Sequence, residues 1–127
     1  ESLMFASELL QNDKAVILGR AVDAATQNIL THDKSPRRGV GETDTRDSHF
    51  YFAFYWAQAV AAQTDDAEMA ATFAAMAAEI ESHESQIVDE LASTQGQPCD
   101  LGGYYRPNAD LVAKIMRPSA TFNRIIG

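Results

Sequence analysis

The chain has 127 residues, of which 46% are hydrophobic and 22% charged, and its net charge is −8. This length suits one domain with a real hydrophobic core. An acidic chain lacks the basic surface that general nucleic-acid binding requires, and the longest apolar run, residues 50–57, is far too short to cross a membrane. The single cysteine, Cys99, excludes an internal disulfide and a cysteine-built zinc site. With no visible secretory signal, the predicted location is a reducing cytoplasm.

The first two predicted elements are helices. Residues 2–11 show a short helical pattern of apolar side chains, and Asn12 is a suitable N-cap for the helix that follows. One face of this second helix carries Leu18, Val22, Ala25 and Ile29. His32 ends it at a position where the helix dipole favours a histidine. The Ser35-Pro36 pair then disfavours helical geometry.

A loop over residues 34–47 is predicted next, followed by a helix that Asp47 or Ser48 can cap. The aromatic residues 50–56 would favour a strand by propensity alone. Alternation is absent, however, and the alanines that follow continue the run as far as Gln63 with strong helix formers. Because this segment is apolar on every side, we expect it to be the most buried helix.

A fourth helix is predicted to begin at the N-cap Asp65, with Glu68 completing a capping-box-like pair. Its apolar stripe consists of Met69, Phe73, Met76, Ile80, Ile87 and Leu91. His83 occupies the turn where an apolar residue is missing. The other face of the same helix is acidic.

The last third of the chain begins with an irregular connection marked by Gly96, Pro98 and the Gly102-Gly103 pair. Asn108 then caps a short helix that Pro118 stops, and Ser119 starts a final helical turn. No strand pair, repeat or internal domain boundary is predicted. The expected fold class is therefore all-α, with residues 1–127 forming a single helical region.

Positive charge is concentrated just before the aromatic helix. Residues 47–105 contain no lysine or arginine, whereas four basic residues lie within thirteen positions: Lys34, Arg37, Arg38 and Arg46. Arginine suits phosphate because its planar fork donates two parallel hydrogen bonds. On the residues alone, two interpretations stay open: a site for a specific anion, or a solvated loop whose arginines pair with Glu42, Asp44 and Asp47. Arg46 is expected to form an ion pair at the start of the helix.

Other candidate sites are weaker. The Gly39-Val40-Gly41 run lacks the strand and the third glycine of a dinucleotide-binding turn. Glu79, His83 and Glu84 lie near one helix face, but the Glu-x-x-His spacing of di-iron bundles is absent. A histidine at the edge of the core is the preferred interpretation. Cys99 has no cation nearby and is expected to be an inert thiol. Residues 102–107 and 116–123 are either docking surface or ordinary helix punctuation.

Five blocks of sequence together resemble one known family. They are residues 34–42 (KSPRRGVGE), 48–51 (SHFY), 55–59 (YWAQA), 101–105 (LGGYY) and 116–123 (MRPSATFN). Their order and spacing closely resemble the C-terminal end of the monomeric-type NADP-dependent isocitrate dehydrogenases of bacteria. Several blocks in register are far more specific than any single motif.

The resemblance implies that the chain is a helical C-terminal segment from the small domain of a larger two-domain α/β enzyme. In that family a cleft holds isocitrate, a divalent Mg²⁺ or Mn²⁺ ion and NADP, and isocitrate is oxidatively decarboxylated to 2-oxoglutarate. The metal ligands and most isocitrate ligands are expected upstream of Glu1. The intact enzyme is expected to be a cytoplasmic monomer that binds neither nucleic acid nor membrane. The separated piece is expected to be inactive, with exposed apolar surface prone to self-association.

The resemblance also implies one cofactor-binding residue, Arg38, which would contact the adenosine 2′-phosphate of NADP. Family members commonly carry Ser-Arg-Lys where this chain has Arg37-Arg38-Gly39, so Arg37 is a second candidate. No catalytic residue and no metal ligand is assigned within the chain. An alternative from another class is a free-standing helical interaction module whose basic loop docks an acidic partner.

Overall fold

The computed structural model describes residues 1–37, 43–95, 102–103 and 106–127. Within these ranges it contains helices and no strand. The helices are α1 (Ser2–Leu10), α2 (Asp13–Thr31), α3 (Thr45–Ala62), α4 (Ala67–Ser82), α5 (Glu84–Ala92), α6 (Ala109–Met116) and α7 (Ala120–Ile126). The predicted all-α class is confirmed.

Helix α3 lies at the centre of the fold, packed against α2 on one side and α4 on the other. Helix α1 packs on α2, α5 contacts α3, and α7 packs on both α4 and α5. Phe50 of α3 is 1% exposed and meets Phe122 of α7 edge-on, with ring centroids 5.1 Å apart. Burying a side chain of this kind contributes about 1.5–3 kcal/mol. The prediction that the aromatic helix would be the most buried is confirmed.

A tight connection joins α1 to α2. Gln11 adopts the left-handed conformation (φ 50°, ψ 46°) after α1. The side chain of Asn12 accepts a hydrogen bond from the backbone N–H of Ala15, which confirms it as the N-cap of α2. Further along α2, Gly19 allows close approach of the two helices, because a Cβ atom there would lie 2.7 Å from Sδ of Met4.

The start of α3 differs from the prediction. The N-cap is Asp44, and neither Asp47 nor Ser48 caps the helix. The carboxylate of Asp44 accepts from the backbone of Arg46 and Asp47, while the Asp47 carboxylate accepts from the backbone N–H of Asp44. This reciprocal capping box satisfies N–H groups that otherwise have no partner inside the helix. The helix therefore begins at Thr45, which shortens the predicted loop by three residues.

The fourth predicted helix is wrong in two respects. Its N-cap is Asp66, whose side chain accepts a hydrogen bond from the backbone N–H of Met69. The side chain of Gln63 accepts hydrogen bonds from the backbone N–H groups of Asp65 and Asp66. The helix also ends at Ser82, where His83 (φ −114°, ψ 10°) leaves helical geometry before α5 begins. Ile80 before this break and Ile87 and Leu91 after it nevertheless belong to the same core cluster.

The predicted caps of the last two helices are confirmed. The side chain of Asn108 accepts from the backbone of Asp110 and Leu111 at the start of α6. Ser119 accepts from the backbone N–H of Phe122 at the start of α7, directly after Pro118. These residues can satisfy their helices locally, which is why the sequence alone identifies them.

Several large apolar side chains are exposed among the described residues: Phe5, Leu9, Leu10, Leu30, Met116 and Ile126. The first three all belong to α1, and each retains about two thirds of its surface accessible to solvent. The predicted exposed apolar surface is therefore present, whereas self-association through it stays a prediction. In the described part of the chain, no helix combines the length and the apolar character needed to cross a membrane.

Candidate functional site

The predicted phosphate-binding arginine, Arg38, lies in the segment 38–42, outside the described residues. The residues on either side of this segment are described and are bound to each other. The backbone N–H of Arg37 donates to the carbonyl of Thr43 across 2.6 Å. The two flanking residues are thus hydrogen-bonded to each other between the end of α2 and the start of α3.

Arg37 forms an ion pair with Asp33, four residues earlier. Both side chains are well exposed, and Asp33 has a positive φ of 56° at the point where the chain leaves α2. An aspartate tolerates this conformation better than most residues. Of the arginine–carboxylate pairs that the solvated-loop interpretation predicted, the described residues show Arg46 with Asp44, whereas Arg37 pairs with Asp33 and not with Asp44 or Asp47. Glu42, the third predicted partner, lies outside the described residues.

Lys34 anchors the beginning of the basic loop on α3. Its backbone N–H donates to the carbonyl of Ile29 at 2.9 Å, and its ammonium group lies 4.3 Å from the ring centroid of Tyr51. Such a cation–π contact fixes a charge that would otherwise be free. The hydroxyl of Tyr51 donates to Glu84 at 2.9 Å, and burial together with this hydrogen bond raises the pKa of Tyr51.

His32 closes α2 as predicted. Its Nδ1 atom lies 3.0 Å from the carbonyl oxygen of Asn28, and its ring stacks on Tyr55 at a centroid distance of 5.4 Å. A histidine at a helix C-terminus can hydrogen-bond the last carbonyl groups that have no partner within the helix. Together with Lys34, it fixes the exit of α2 against the aromatic face of α3.

Arg46 lies in the first turn of α3, just after the basic loop, and confirms the predicted ion pair. Its guanidinium donates to Asp44 at 2.7 and 3.1 Å, with both side chains largely buried. The same group also donates to the hydroxyl of Thr94 at 2.7 Å and to the carbonyl of Ile115 at 3.2 Å. Arg46 therefore joins the start of α3 to the segment after α5 and to the end of α6. With all three of its nitrogens engaged, its role is structural.

Asp47, which the sequence suggested as a helix cap or an arginine partner, is a buried carboxylate beside this cluster. It is 7% exposed, and its Oδ2 atom accepts from the backbone of Asp44 and from Nε2 of Gln95, each at 3.3 Å. Its Oδ1 atom is buried without a hydrogen-bond partner among the described residues. Burial raises the pKa of Asp47, an effect that the hydrogen bond from Asp44 opposes. Although burial acts in the same direction on Asp44, hydrogen bonds from Asp47 and Arg46 lower its pKa overall.

A second polar cluster joins α5 to α7. The carboxylate of Glu90 accepts from the hydroxyl of Ser119 at 2.5 Å, the hydroxyl of Thr121 at 2.7 Å and the backbone N–H of Thr121 at 3.2 Å. The hydrogen bond from Ser119 is the main reason why the pKa of Glu90 falls below its ordinary value. These hydrogen bonds support the interpretation that residues 119–121 end one helix and start the next. The predicted acidic face gave no signal for a Glu90 contact, since all of its carboxylates look alike in sequence.

The residues considered for a metal site have other partners. Glu79 pairs with Arg124, Glu84 accepts from Tyr51, and Nδ1 of His83 lies 2.9 Å from the carbonyl oxygen of Glu79. Across the described ranges, no three His, Cys, Asp or Glu side chains are grouped so that they could hold a metal ion. The expectation for Cys99 falls outside the described residues, as do Tyr104 and Tyr105 of the Gly-Gly-Tyr-Tyr loop.

Comparisons with known proteins agree over the whole chain. The family model for monomeric isocitrate dehydrogenase matches residues 1–127. The chain is 52% identical over 122 residues to an NADP isocitrate dehydrogenase of Azotobacter vinelandii, covering 96% of the chain and 16% of that relative. It is 51% identical over 112 residues to NADP isocitrate dehydrogenase 2 of Mycobacterium tuberculosis, covering 88% of the chain and 15% of the relative.

A further relative, an NADP isocitrate dehydrogenase of Corynebacterium efficiens, is 47% identical over 126 residues, covering 99% of the chain and 17% of the relative. The chain thus spans about a sixth of the length of the curated relatives that it matches. These alignments, at 47–52% identity, cover 88–99% of the chain. Together with the family match, they leave one conclusion: the chain belongs to the monomeric isocitrate dehydrogenase family.

Proposed function

We propose that this chain is part of an NADP-dependent isocitrate dehydrogenase, in which it contributes to the site for the adenosine 2′-phosphate of NADP. The observation that carries the proposal is the family match over all 127 residues, with relatives named for NADP and isocitrate. The proposed reaction of the whole enzyme is the oxidative decarboxylation of isocitrate to 2-oxoglutarate and carbon dioxide, with NADP accepting the hydride. We place the enzyme in the cytoplasm as a monomer.

Within the chain, Arg38 is the proposed phosphate ligand and Arg37 is the second candidate. Arginine can bind a phosphate monoester by two parallel charge-assisted hydrogen bonds, and the 2′-phosphate is the group that distinguishes NADP from NAD. The contacts around the segment support this assignment. Its flanking residues are joined by the hydrogen bond between Arg37 and Thr43.

The charges around the segment favour Arg38 over Arg37 as the main ligand. Arg37 already shares its charge with Asp33, and the ammonium of Lys34 lies over the ring of Tyr51. A guanidinium that must first leave a carboxylate binds a phosphate less favourably, because the ion pair has to be broken. Arg37 is therefore proposed to act as a nearby positive charge, with Arg38 providing the bidentate contact.

Catalysis and metal binding are assigned to other parts of the enzyme. The described residues offer no fit to a divalent ion, so the Mg²⁺ or Mn²⁺ that the family uses is proposed to bind outside them. The role of this chain is then to bind and orient the adenosine end of NADP. The separated piece is expected to have no dehydrogenase activity.

The test uses the intact enzyme and alanine variants of the two arginines. Arg38→Ala is expected to raise the KM for NADP roughly 10- to 100-fold, the range expected for lost hydrogen bonds to a charged group, while the KM for isocitrate stays unchanged. Arg37→Ala is expected to raise the KM for NADP by less than tenfold. Arg20→Ala, an exposed arginine on α2, is the control and should change neither constant. An unaltered KM for NADP in Arg38→Ala would remove Arg38 from this role.

The alternative of a free-standing interaction module is not favoured. Its basic loop would have to present several free cations to an acidic partner. The described basic residues in and beside the loop already have partners: Arg37 pairs with Asp33, Lys34 with the Tyr51 ring and Arg46 with Asp44. The relatives are also about six times longer than the matched region.

A further inference from the structure

A cleft of about 190 Å³ lies between the start of α3, the end of α5 and the segment that joins α6 to α7. Its apolar lining includes Phe50, Leu91 and Phe122, of which Phe50 and Leu91 are almost completely buried. Its polar lining includes His49, Arg117 and Asn123. The cleft therefore combines an apolar floor with cationic or hydrogen-bond-donating side chains at its edge.

Arg117 is held in place but keeps donors free. Its Nε atom donates to Oδ1 of Asn123 at 3.3 Å, while Nδ2 of Asn123 donates to the carbonyl of Arg117 at 2.7 Å. This two-way contact fixes the base of the guanidinium group. In the described part of the chain, no carboxylate lies within ion-pair distance of Arg117 and its two terminal nitrogens make no hydrogen bond.

His49 is the second donor at the cleft. It is exposed, and its imidazole makes no hydrogen bond to any residue that the structure describes. Arg46, the third basic residue of the lining, is already bound to Asp44 and Thr94 and has no nitrogen to spare. Arg117 and His49 thus both keep polar atoms that make no hydrogen bond to the described residues.

We propose that this cleft binds a carboxylate group attached to a short apolar body. The terminal nitrogens of Arg117 suit the two carboxylate oxygens through a bidentate contact, His49 supplies a further N–H donor, and the apolar floor accepts the body of the ligand. The same chemistry has two possible sources: a small free carboxylate, or an aspartate or glutamate side chain from the rest of the polypeptide. None of the lining residues is a proposed NADP ligand, and the proposal does not rest on the NADP assignment.

The experiment titrates benzoate, as a probe, into the intact protein that contains this chain, with binding followed by isothermal calorimetry. If the cleft takes a free carboxylate, benzoate binds. Arg117→Met, which keeps the apolar stem, then weakens binding at least tenfold, whereas Arg117→Lys weakens it less. His49→Gln also weakens binding. The matched control Arg20→Met, on the exposed surface of α2, leaves affinity unchanged.

If a carboxylate of the polypeptide occupies the cleft, benzoate does not bind. In that case Arg117→Met lowers the thermal midpoint of the intact protein by several degrees more than Arg20→Met, and Arg117→Lys restores part of the loss. The proposal is overturned if benzoate fails to bind and the two methionine variants melt alike. It is also overturned if benzoate binds with equal affinity to wild-type protein and Arg117→Met. None of these outcomes involves NADP kinetics, so they are independent of the Arg38 test.

Discussion

The carboxylate of Glu90 on α5 accepts a 2.5 Å hydrogen bond from the hydroxyl of Ser119, which is itself the N-cap of α7. Glu90 of α5 is thus hydrogen-bonded directly to the residue that caps α7. Because Ser119 is 1% exposed, this hydrogen bond lies at the edge of the core. The contact makes the docking of α7 depend on the ionisation of Glu90.

We predict that Glu90 makes stability depend on pH in the acid range. Hydrogen bonding, chiefly from Ser119, lowers the pKa of Glu90 below 4.5 in the folded state. Its contribution is therefore complete above the unfolded pKa and is lost as pH falls through the folded pKa. Glu90→Gln should lower the free energy of unfolding at pH 7 by about 1–2 kcal/mol, because hydrogen bonds to a charged acceptor are lost.

Urea unfolding followed by circular dichroism at pH 7 and pH 3 measures this effect. The difference between wild type and Glu90→Gln should shrink at the lower pH. Glu81→Gln, at an exposed position on α4, serves as the control and should unfold like wild type at both values. A difference for Glu90→Gln that is equally large at the two pH values would argue against the ionised carboxylate as the source.

The two carboxylates of the α3 capping box have pKa values shifted in opposite directions, so removal of their charge is predicted to destabilise the protein to different extents. Asp44 has a lowered pKa, so its contribution is lost as pH falls below 3.8. The pKa of Asp47 is raised by burial, so stability falls as pH rises from 3.8 through its folded value. Asp44→Asn should cost about 1–2 kcal/mol, because largely buried Arg46 loses its charged partner. Asp47→Asn should cost less than about 0.5 kcal/mol, since it removes a poorly solvated charge.

Urea unfolding at pH 7 distinguishes these two variants directly. Asparagine keeps an acceptor for the helix N–H groups in both, so a difference between them reports the charge and not the cap. Equal losses for Asp44→Asn and Asp47→Asn would contradict the opposite pKa directions.

The connection between α1 and α2 offers a stabilising substitution. Gln11 has φ 50°, a conformation that costs a residue with a side chain roughly 1–2 kcal/mol relative to glycine. Gln11→Gly should raise the free energy of unfolding by about 0.5 kcal/mol, after allowance for the greater freedom of glycine in the unfolded chain. The matched control is Gln27→Gly, an exposed position inside α2, which should lower it by about 1 kcal/mol. The same sign for both substitutions would show that Gln11 is not strained.

Asp33 is predicted to determine how much Arg37 can assist NADP binding. In the intact enzyme, Asp33→Ala removes the partner of Arg37 and leaves a free guanidinium next to Arg38. In the Arg38→Ala background, adding Asp33→Ala should therefore lower the KM for NADP by severalfold, a partial rescue. The triple variant with Arg37→Ala should lose that rescue. Kinetics in which Asp33→Ala has no effect on Arg38→Ala would show that Arg37 cannot substitute for Arg38.

The sequence predicted those features of the fold that depend on neighbouring residues. Asn12, Asn108 and Ser119 each cap a helix with their own side chain. Of the periodic apolar residues predicted for α2, Ala25 and Ile29 are buried, and Leu18 and Val22 are partly buried. The aromatic run also predicted the central helix, because a segment without a polar face has to be surrounded. Local chemistry decides all of these features, so it can be read without the structure.

The features that the sequence failed to predict depend on a choice between neighbouring cap residues or on contacts between residues far apart in the chain. Asp65 and Asp66 are adjacent and equally able to cap α4, and the choice is made by the Gln63 side chain. Asp44 captures the start of α3 because Asp47 completes a reciprocal pair with it. The Glu90 contacts join residues about thirty positions apart, which no periodicity reveals. For the proposed NADP site, the residues alone leave two interpretations open, and only the family resemblance points to Arg38.

Arg46 has a consequence for the order in which the protein can form during synthesis. Its guanidinium binds Thr94 and the carbonyl of Ile115, which follow it by 48 and 69 positions. A ribosome makes the start of α3 long before it makes either partner. Helices α1 to α4, whose main contacts join sequence neighbours, can assemble on the emerging chain. Arg46 therefore stays without these two partners until α6 leaves the exit tunnel. Only then can its hydrogen bonds to Thr94 and Ile115 form.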